Sequence, residues 1–303
     1  MTIYSKLTAK HALCLAAPHT WPASVFPVLL GTALAVALDG SFSWPLFVLV
    51  LAAAILLQSS VNTINDYYDF IKGNDRIENS DDPNDAILVY NNVDPRQVQK
   101  LGFGFMAAAI LLGIYPVYRG GLITLAIGAC GCLVIIAYSA GKKPISHWPL
   151  GEIVSGTVMG GLITVAVFSV FTGYAGWQIF FLSAPLILGI GLIMMTNNTC
   201  DIERDAATGR QTLPVLLGRP RARTVYLCCA LLWLLLMIVI AAIHFRGGLL
   251  LLCLLLAATF PLWWRLARLP LTPQQRGRCM GAIVITNICA HTAYVAAILM
   301  HAM

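Results

Sequence analysis

Asn62, Asp66 and Asp69 stand at i, i+4 and i+7 where a long apolar run free of charge, Phe42 to Val61, comes to its end. On a helix that spacing stacks one amide and two carboxylates along a single stripe. Acids at the mouth of a membrane helix are expensive, and ionisable groups at that depth face a cavity and act there. Closely set carboxylates in an apolar shell suit a hard divalent cation. The device recurs downstream, where Asn197, Asp201 and Asp205, at i, i+4 and i+8, close the apolar run Ile179 to Met195. Gly73 follows Asp69 by four residues and Gly209 follows Asp205 by four. Both glycines fit a helix C-terminus, and the shared ending is the trace of an internal repeat.

Two such stripes, if they meet, could hold two Mg²⁺ ions. Magnesium in proteins takes one or two carboxylates and completes its shell with substrate phosphates, so the implied ligand is a diphosphate. A diphosphate whose remainder lies in a lipid-like chamber is a prenyl diphosphate. Cations beside the metals would neutralise the leaving pyrophosphate, and a walled membrane cavity would keep water from the allylic cation. Tyr138 and Lys142, at i and i+4, share a helical face, with Lys143 adjacent. The two lysines serve either topology or a phosphate. Glu152 opens the next apolar run; it is either an exposed helix-start carboxylate favoured by the dipole or a group on the cavity. Glu203 points about 120° away from its stripe, toward Arg204 or solvent. Asp81-Asp82-Pro83-Asn84-Asp85 spells an acidic magnesium motif, yet Pro83 and its Asn, Asp and Ser neighbours favour turns, which makes it a solvated loop.

The elements that must carry these residues are membrane helices. The 303 residues are 59% hydrophobic and 11% charged, with mean hydropathy +0.80, against about 25% charged in soluble domains. Apolar runs near the ~20 residues that cross a bilayer fall at about 21–38, 43–66, 101–118, 121–139, 150–171, 178–198, 224–243, 247–264 and 280–300. The chain is therefore all-α, nine spans in a single domain over 1–303, with pseudo-repeat halves at about 21–139 and 150–300. With the N-terminus inside, 17 of the 19 Lys and Arg fall in inside segments, leaving Arg119 and Arg246 outside. That bias puts both stripes at the cytoplasmic end of a multi-pass cell (inner) membrane protein and the C-terminus outside. It also explains the net charge of +6 without nucleic acid. The nine cysteines lie mainly inside spans and are read as small packing residues rather than a disulfide framework. No cleavable signal pattern opens the chain.

Asn62-xxx-Asp66-xx-Asp69 and Asn197-xxx-Asp201-xxx-Asp205, with Tyr138-xxx-Lys142 between them, resemble the signature of the UbiA-type superfamily of intramembrane aromatic prenyltransferases. The resemblance covers residues 17–300. Within the superfamily, Asn65-Asp-Tyr-Tyr-Asp69-xxx-Gly73-Asn-Asp75-Arg76 and Asp201-Ile-Glu-Arg-Asp205-xxx-Gly209-Arg210-Gln-Thr212-Leu are similar to the two motifs of 1,4-dihydroxy-2-naphthoate prenyltransferases of menaquinone synthesis. Leu150-Gly151-Glu152 fits as well. Ala17 stands where an arginine is usual, and the loop after Arg76 is acidic instead of carrying Arg-Pro. The resemblance implies a nine-helix funnel with a central cavity, a polyprenyl diphosphate donor and an aromatic acceptor. It further implies Mg²⁺ held by Asp66, Asp69, Asp201 and Asp205 with help from Asn62 and Asn197. Lys142, Lys143 and Arg210 would grip the diphosphate, and Tyr138 would face the cation. Asn65, Asp75, Arg76 and Glu152 would be further substrate contacts.

Other acceptors of the same chemistry are 4-hydroxybenzoate, a futalosine-pathway naphthoate, another ring or a glycerol phosphate. A cation transporter also needs intramembrane carboxylates, but normally near the midplane; here they lie at one edge, beside repelling lysines and arginines.

Overall fold

The computed structural model describes residues 4–73 and 87–303. Asp75, Arg76 and the 81–85 acidic run lie outside them. Among the described residues every regular element is helical, and the only strand-like pairing is an isolated bridge between Ser5 and Val93. A short α1 (Ala9–Ala16) turns through Ala17, whose φ of 48° is left-handed, into α2 (Pro22–Asp39). Next come α3 (Trp44–Ile71), α4 (Ile87–Asn91) and α5 (Pro95–Ser139). After them α6 (Gly151–Ser155), a π-helical segment (Gly156–Leu162) and α7 (Ile163–Thr172) run end to end. The second half holds α8 (Trp177–Leu182), α9 (Ala184–Cys200), α10 (Ile202–Ala207), α11 (Leu213–Leu217) and α12 (Arg219–His244). It closes with α13 (Leu249–Ala258), α14 (Phe260–Ala267) and α15 (Arg276–Ala302).

Six of these stretches are long and apolar enough to cross a membrane, and α13 with α14, bent by 55°, makes a seventh. At ~1.5 Å per residue the 45 residues of α5 would run to about 68 Å, more than twice the ~30 Å hydrocarbon core. Helical geometry breaks inside it at Gly121 (φ 70°, ψ −157°), a conformation an L side chain resists. α9, with 17 residues, is apolar but short.

The bundle closes by packing the last helix, α15, on α2 and α9, while α3 lies along α5 and both α2 and α5 meet α7. Small residues set these approaches. A Cβ on Gly102 would lie 2.7 Å from Ile64, and one on Gly160 would lie 2.6 Å from the backbone nitrogen of Ile187. Such contacts, with buried hydroxyl bonds such as Ser60 to Gly102 O (2.8 Å) and Thr124 to Ser169 (2.6 Å), are how helices associate where lipid removes the hydrophobic drive. The largest fully buried side chains include Trp233, Tyr226, Tyr294 and Phe168. Trp263 packs on Trp233 with ring centroids 4.8 Å apart, while its neighbour Trp264 is exposed, with Arg268 over its ring.

Candidate active site

The first stripe forms as its spacing requires, because Asn62, Asn65, Asp66 and Asp69 all lie on the last turns of α3. Asn62 faces the α1–α2 junction. Its Nδ2 donates to Ala16 O (3.1 Å) and Thr20 Oγ1 (2.8 Å), and its Oδ1 accepts from Gln58 (3.4 Å). Asn65 donates to Ser139 Oγ (3.0 Å), tying α3 to the end of α5. Asp66 and Asp69 are half-buried. One turn after Asp69, Lys72 Nζ donates to Ser139 O (2.6 Å). Burial pushes its ammonium below the usual lysine range; Asp69 opposes that and Arg210 adds to it.

The second stripe is interrupted and neutralised by arginines. α9 stops at Cys200, Asp201 adopts φ −99°, ψ 17°, and α10 restarts the helix. Arg276, from the head of α15, donates to Asp201 Oδ2 (3.1 Å) and Asn197 Oδ1 (2.6 Å). Asp205, 2% exposed, pairs with Arg210 (3.2 Å) and accepts from Thr212 (3.3 Å). Burial raises its carboxyl to about 6; Arg210 opposes this and Asp201 reinforces it. Arg210 also donates to Ser146 O. Next to Ser146, His147 is held below its ordinary range by burial, then by Arg210 and Lys72, with Asp69 opposing. Glu203 does point away, but its partner is Arg219, which grips both carboxylate oxygens at 2.7 and 2.8 Å, rather than Arg204.

Tyr138 joins this polar layer to a cavity. Its hydroxyl donates to Met194 Sδ (3.4 Å) and lies within electrostatic reach of Arg210, Glu152, Asp69 and Asp205. The same residue lines an apolar cavity of about 590 Å³ among α3, α5, the π-helical segment and α7, a size in the ligand-pocket range of about 300–1,000 Å³. Glu152 is not an exposed helix-start acid. It is 6% exposed and accepts from Asn198 Nδ2 at 2.9 Å.

The structure thus gathers Asp69, Tyr138, Glu152, Asp205 and Arg210 in one neighbourhood and links Asn197 with Asp201 through Arg276. Lys142 and Lys143 stand on exposed surface. The expected helical face shared by Tyr138 and Lys142 does not form, because α5 ends at Ser139, Ala140 is extended and Gly141 turns left-handed (φ 88°). Lys72, Arg276, His147 and Asn198 were not singled out from the sequence. Lys72 had a signal, since it stands i+3 from Asp69 on the same face. Arg276 had none, being 75 residues from Asp201 and one of many arginines assigned to inside segments by charge bias alone.

Among the described residues no three His, Cys, Asp or Glu side chains close on one point as a metal cage. The donors are nevertheless hard carboxylate and amide oxygens presented in pairs, the set that Mg²⁺ accepts when substrate phosphates complete its shell. The residues present fit that ion.

The sequence matches the profile of the UbiA prenyltransferase family over residues 24–284. It is similar to a 1,4-dihydroxy-2-naphthoate octaprenyltransferase of Bacillus subtilis (strain 168), 34% identical over 211 residues, 70% of this chain and 67% of that protein. It is also similar to UbiA prenyltransferase domain-containing protein 1 of Xenopus tropicalis, 31% identical over 222 residues, 72% of this chain but 62%, under two thirds, of that relative. A solved UbiA homolog from Archaeoglobus fulgidus, bound to GPP and Mg²⁺, shares the fold with a TM-score of 0.68 at 18% identity, covering 94% of this chain and 99% of its own. A multi-pass helical membrane protein with this profile match belongs to the UbiA prenyltransferase family.

Proposed function

We propose that the protein transfers a prenyl group from a polyprenyl diphosphate to an aromatic acceptor, 1,4-dihydroxy-2-naphthoate, in menaquinone synthesis. The observation that carries this is the position of Tyr138, which lines the apolar cavity and stands in the field of Arg210, Glu152, Asp69 and Asp205. A prenyl tail in the cavity puts its C1 at that ring and its diphosphate among the acids and cations. The acceptor is supported by the name of the Bacillus subtilis relative.

Asp66, Asp69, Asp201 and Asp205 would hold two Mg²⁺ ions bridged by the diphosphate, with Asn62 and Asn197 orienting the acids. When bound, the metal would stabilise charge on the departing pyrophosphate. Arg210 and Lys72 add cationic hydrogen-bond donors, and Tyr138 offers its π-face to the allylic cation. The C1–O bond breaks with its electron pair leaving on the diphosphate, an electron-rich ring carbon bonds to C1, and loss of a ring proton or carboxyl group restores aromaticity. The apolar lining excludes water.

On this reading the chain crosses the cell (inner) membrane nine times as one domain of two pseudo-repeat halves. The seven apolar stretches become nine when α5 is divided at Gly121 and α9, extended by α8, is added. The N-terminus and site face the cytoplasm and the C-terminus lies outside.

The test is direct. Purified protein is incubated with Mg²⁺, prenyl diphosphates of graded length and a panel of acceptors: hydroxynaphthoates, 4-hydroxybenzoate and glycerol phosphate. Products are identified by mass. A prenylated naphthoate is expected, another prenylated acceptor reassigns the ring, and no transfer to any acceptor refutes the function.

A further inference from the structure

Between α6 and α9, beside Tyr138, two acceptor oxygens lack donors among the described residues. Asn198 Nδ2 donates to Glu152 Oε1 at 2.9 Å, while Glu152 Oε2 and Asn198 Oδ1 are buried with no hydrogen-bond partner among those residues. The two residues are 6% and 3% exposed. A buried carboxylate oxygen without a donor is among the costlier groups a fold can keep, and a second orphan acceptor, the amide oxygen of its hydrogen-bonded neighbour, joins it in calling for a ligand that donates. Their surroundings say where it enters. A Cβ on Gly151 would lie 3.4 Å from the Tyr138 hydroxyl and 3.9 Å from Asn198 Nδ2, so the pair adjoins a residue that lines the cavity. Val154 and Ser155, the last two residues of α6, line the cavity itself. Gly191 brings α9 against the backbone of Glu152, 3.1 Å from where its Cβ would stand, which fixes the pair in place.

We propose that Glu152 and Asn198 form the receptor for the ring hydroxyls of the acceptor, and that Glu152 Oε2 takes the phenolic proton as the ring attacks. This rests on the prenyl-transfer reading and adds the acceptor side of that site. The phenol O–H bond breaks and its proton passes to Glu152. The freed pair moves through the ring into the new bond between a ring carbon and prenyl C1, as the C1–O bond breaks and its pair leaves with pyrophosphate. The ring carbon then releases its proton to water, or its carboxyl group as CO₂, and Glu152 returns the proton to the oxygen. No oxidant or further reactant is needed. Asn198 accepts from a hydroxyl and holds Glu152 in register.

The test uses the full-length protein with Mg²⁺, a prenyl diphosphate, a hydroxyaromatic acceptor and the O-methyl ether of that acceptor. Glu152→Gln keeps the size of the side chain and its bond from Asn198; kcat should fall by roughly 10²–10⁴-fold, with the Kd for prenyl diphosphate within about twofold of wild type. Asn198→Leu removes both the acceptor for a hydroxyl and the donor that positions Glu152, so it should raise the acceptor KM by about tenfold, the worth of one hydrogen bond, and lower kcat with it, while the Kd for prenyl diphosphate stays within about twofold of wild type. The ether is a test on wild type, which should bind it at least tenfold more weakly than the parent acceptor, and that gap should narrow in Glu152→Gln. Unchanged kcat and acceptor KM in Glu152→Gln would overturn the inference, as would prenyl diphosphate affinity falling in step with activity, or equal wild-type binding of acceptor and ether. Failure of wild type to prenylate any ring defeats the functional reading first, and is told apart because it appears before any substitution is made.

Discussion

At the scale of the residue, the diphosphate's cations are where structure and spacing part. Sequence spacing favours Lys142, but the helix bearing Tyr138 ends at Ser139, and Lys72, hydrogen-bonded to Ser139 O, is the lysine that feels the charges of Asp69 and Arg210. Lys72→Ala should therefore weaken binding of a non-hydrolysable prenyl diphosphate by about tenfold or more, the worth of a charged hydrogen bond at ~1.5–3 kcal/mol. The double change Lys142→Ala, Lys143→Ala should stay within about twofold. Calorimetric titration in Mg²⁺ decides, and the reverse order restores Lys142 to the site. Asp66→Asn and Asp201→Asn should each abolish Mg²⁺-dependent transfer while the protein still folds; wild-type turnover in either removes the metal assignment. The acids could be read from the sequence because they lie three or four apart in apolar runs, where any charge stands out. Arg276 was hidden among the many Lys and Arg that the positive-inside bias assigns to loops on one side, and Lys72 was counted with them despite its i+3 spacing from Asp69. A cation in an inside loop looks alike whether it faces solvent or a carboxylate.

Elements hold these residues at fixed separations, and two of their joints can be tested. Gly156 and Gly160, four apart on the π-helical segment, let α9 approach so closely that a Cβ on Gly160 would meet Ile187 N, Leu186 C and Ile187 Cα at 2.6–2.8 Å. Those are backbone atoms with nowhere to go. Gly160→Ala should cost about 1–3 kcal/mol as an overpacked core does. It should also loosen acceptor binding, because Asn198 rides on the same α9; the paired readouts are thermal unfolding in detergent and acceptor KM. A lowered melting point with an unchanged KM would uncouple the joint from the site. The second joint is Glu203–Arg219, which pins α10 to α12. The arginine's hydrogen bonds hold the Glu203 carboxyl at about 2, below its usual 4.5. A depressed carboxylate stabilises the folded state above its unfolded value and loses that contribution as pH falls from about 4.5 toward 2. Because the Glu203 side chain is 61% exposed, the pair is worth about 1 kcal/mol or less. The gap in unfolding temperature between wild type and Glu203→Gln should be constant near neutrality and close on acidification. Neither joint could be read from the sequence: the glycines do not announce their π-helical turn, and the 120° rotation of Glu203 said only which way it faced.

For the whole molecule, composition and lysine bias were enough to define an all-helical membrane protein. A central cavity was expected, but its lining was not legible, because the Val, Ile, Ala and Gly that form most of it are no different from residues facing lipid. Only the packing of α3, α5 and α7 decides which of them surround a hollow. Gly131 shows the consequence. It lines the cavity, half-buried, yet a Cβ there would meet nothing within 4 Å among the described residues. It also precedes Tyr138 by two helical turns, about 10 Å along α5. A side chain placed there enters the hollow rather than the core, so Gly131→Phe should fold normally. The ring would then stand across the path of any tail that extends more than about 10 Å beyond the reacting carbon. Competition between a short and a long prenyl diphosphate should shift toward the short one by tenfold or more, with the kcat for the short donor preserved, since Tyr138 and the acids are untouched. If both donors lost activity equally, the cavity would be a packing defect and the tail would lie elsewhere, against lipid. If neither changed, the tail would bypass Gly131, and the link between the cavity and the acidic layer through Tyr138 would have to be redrawn.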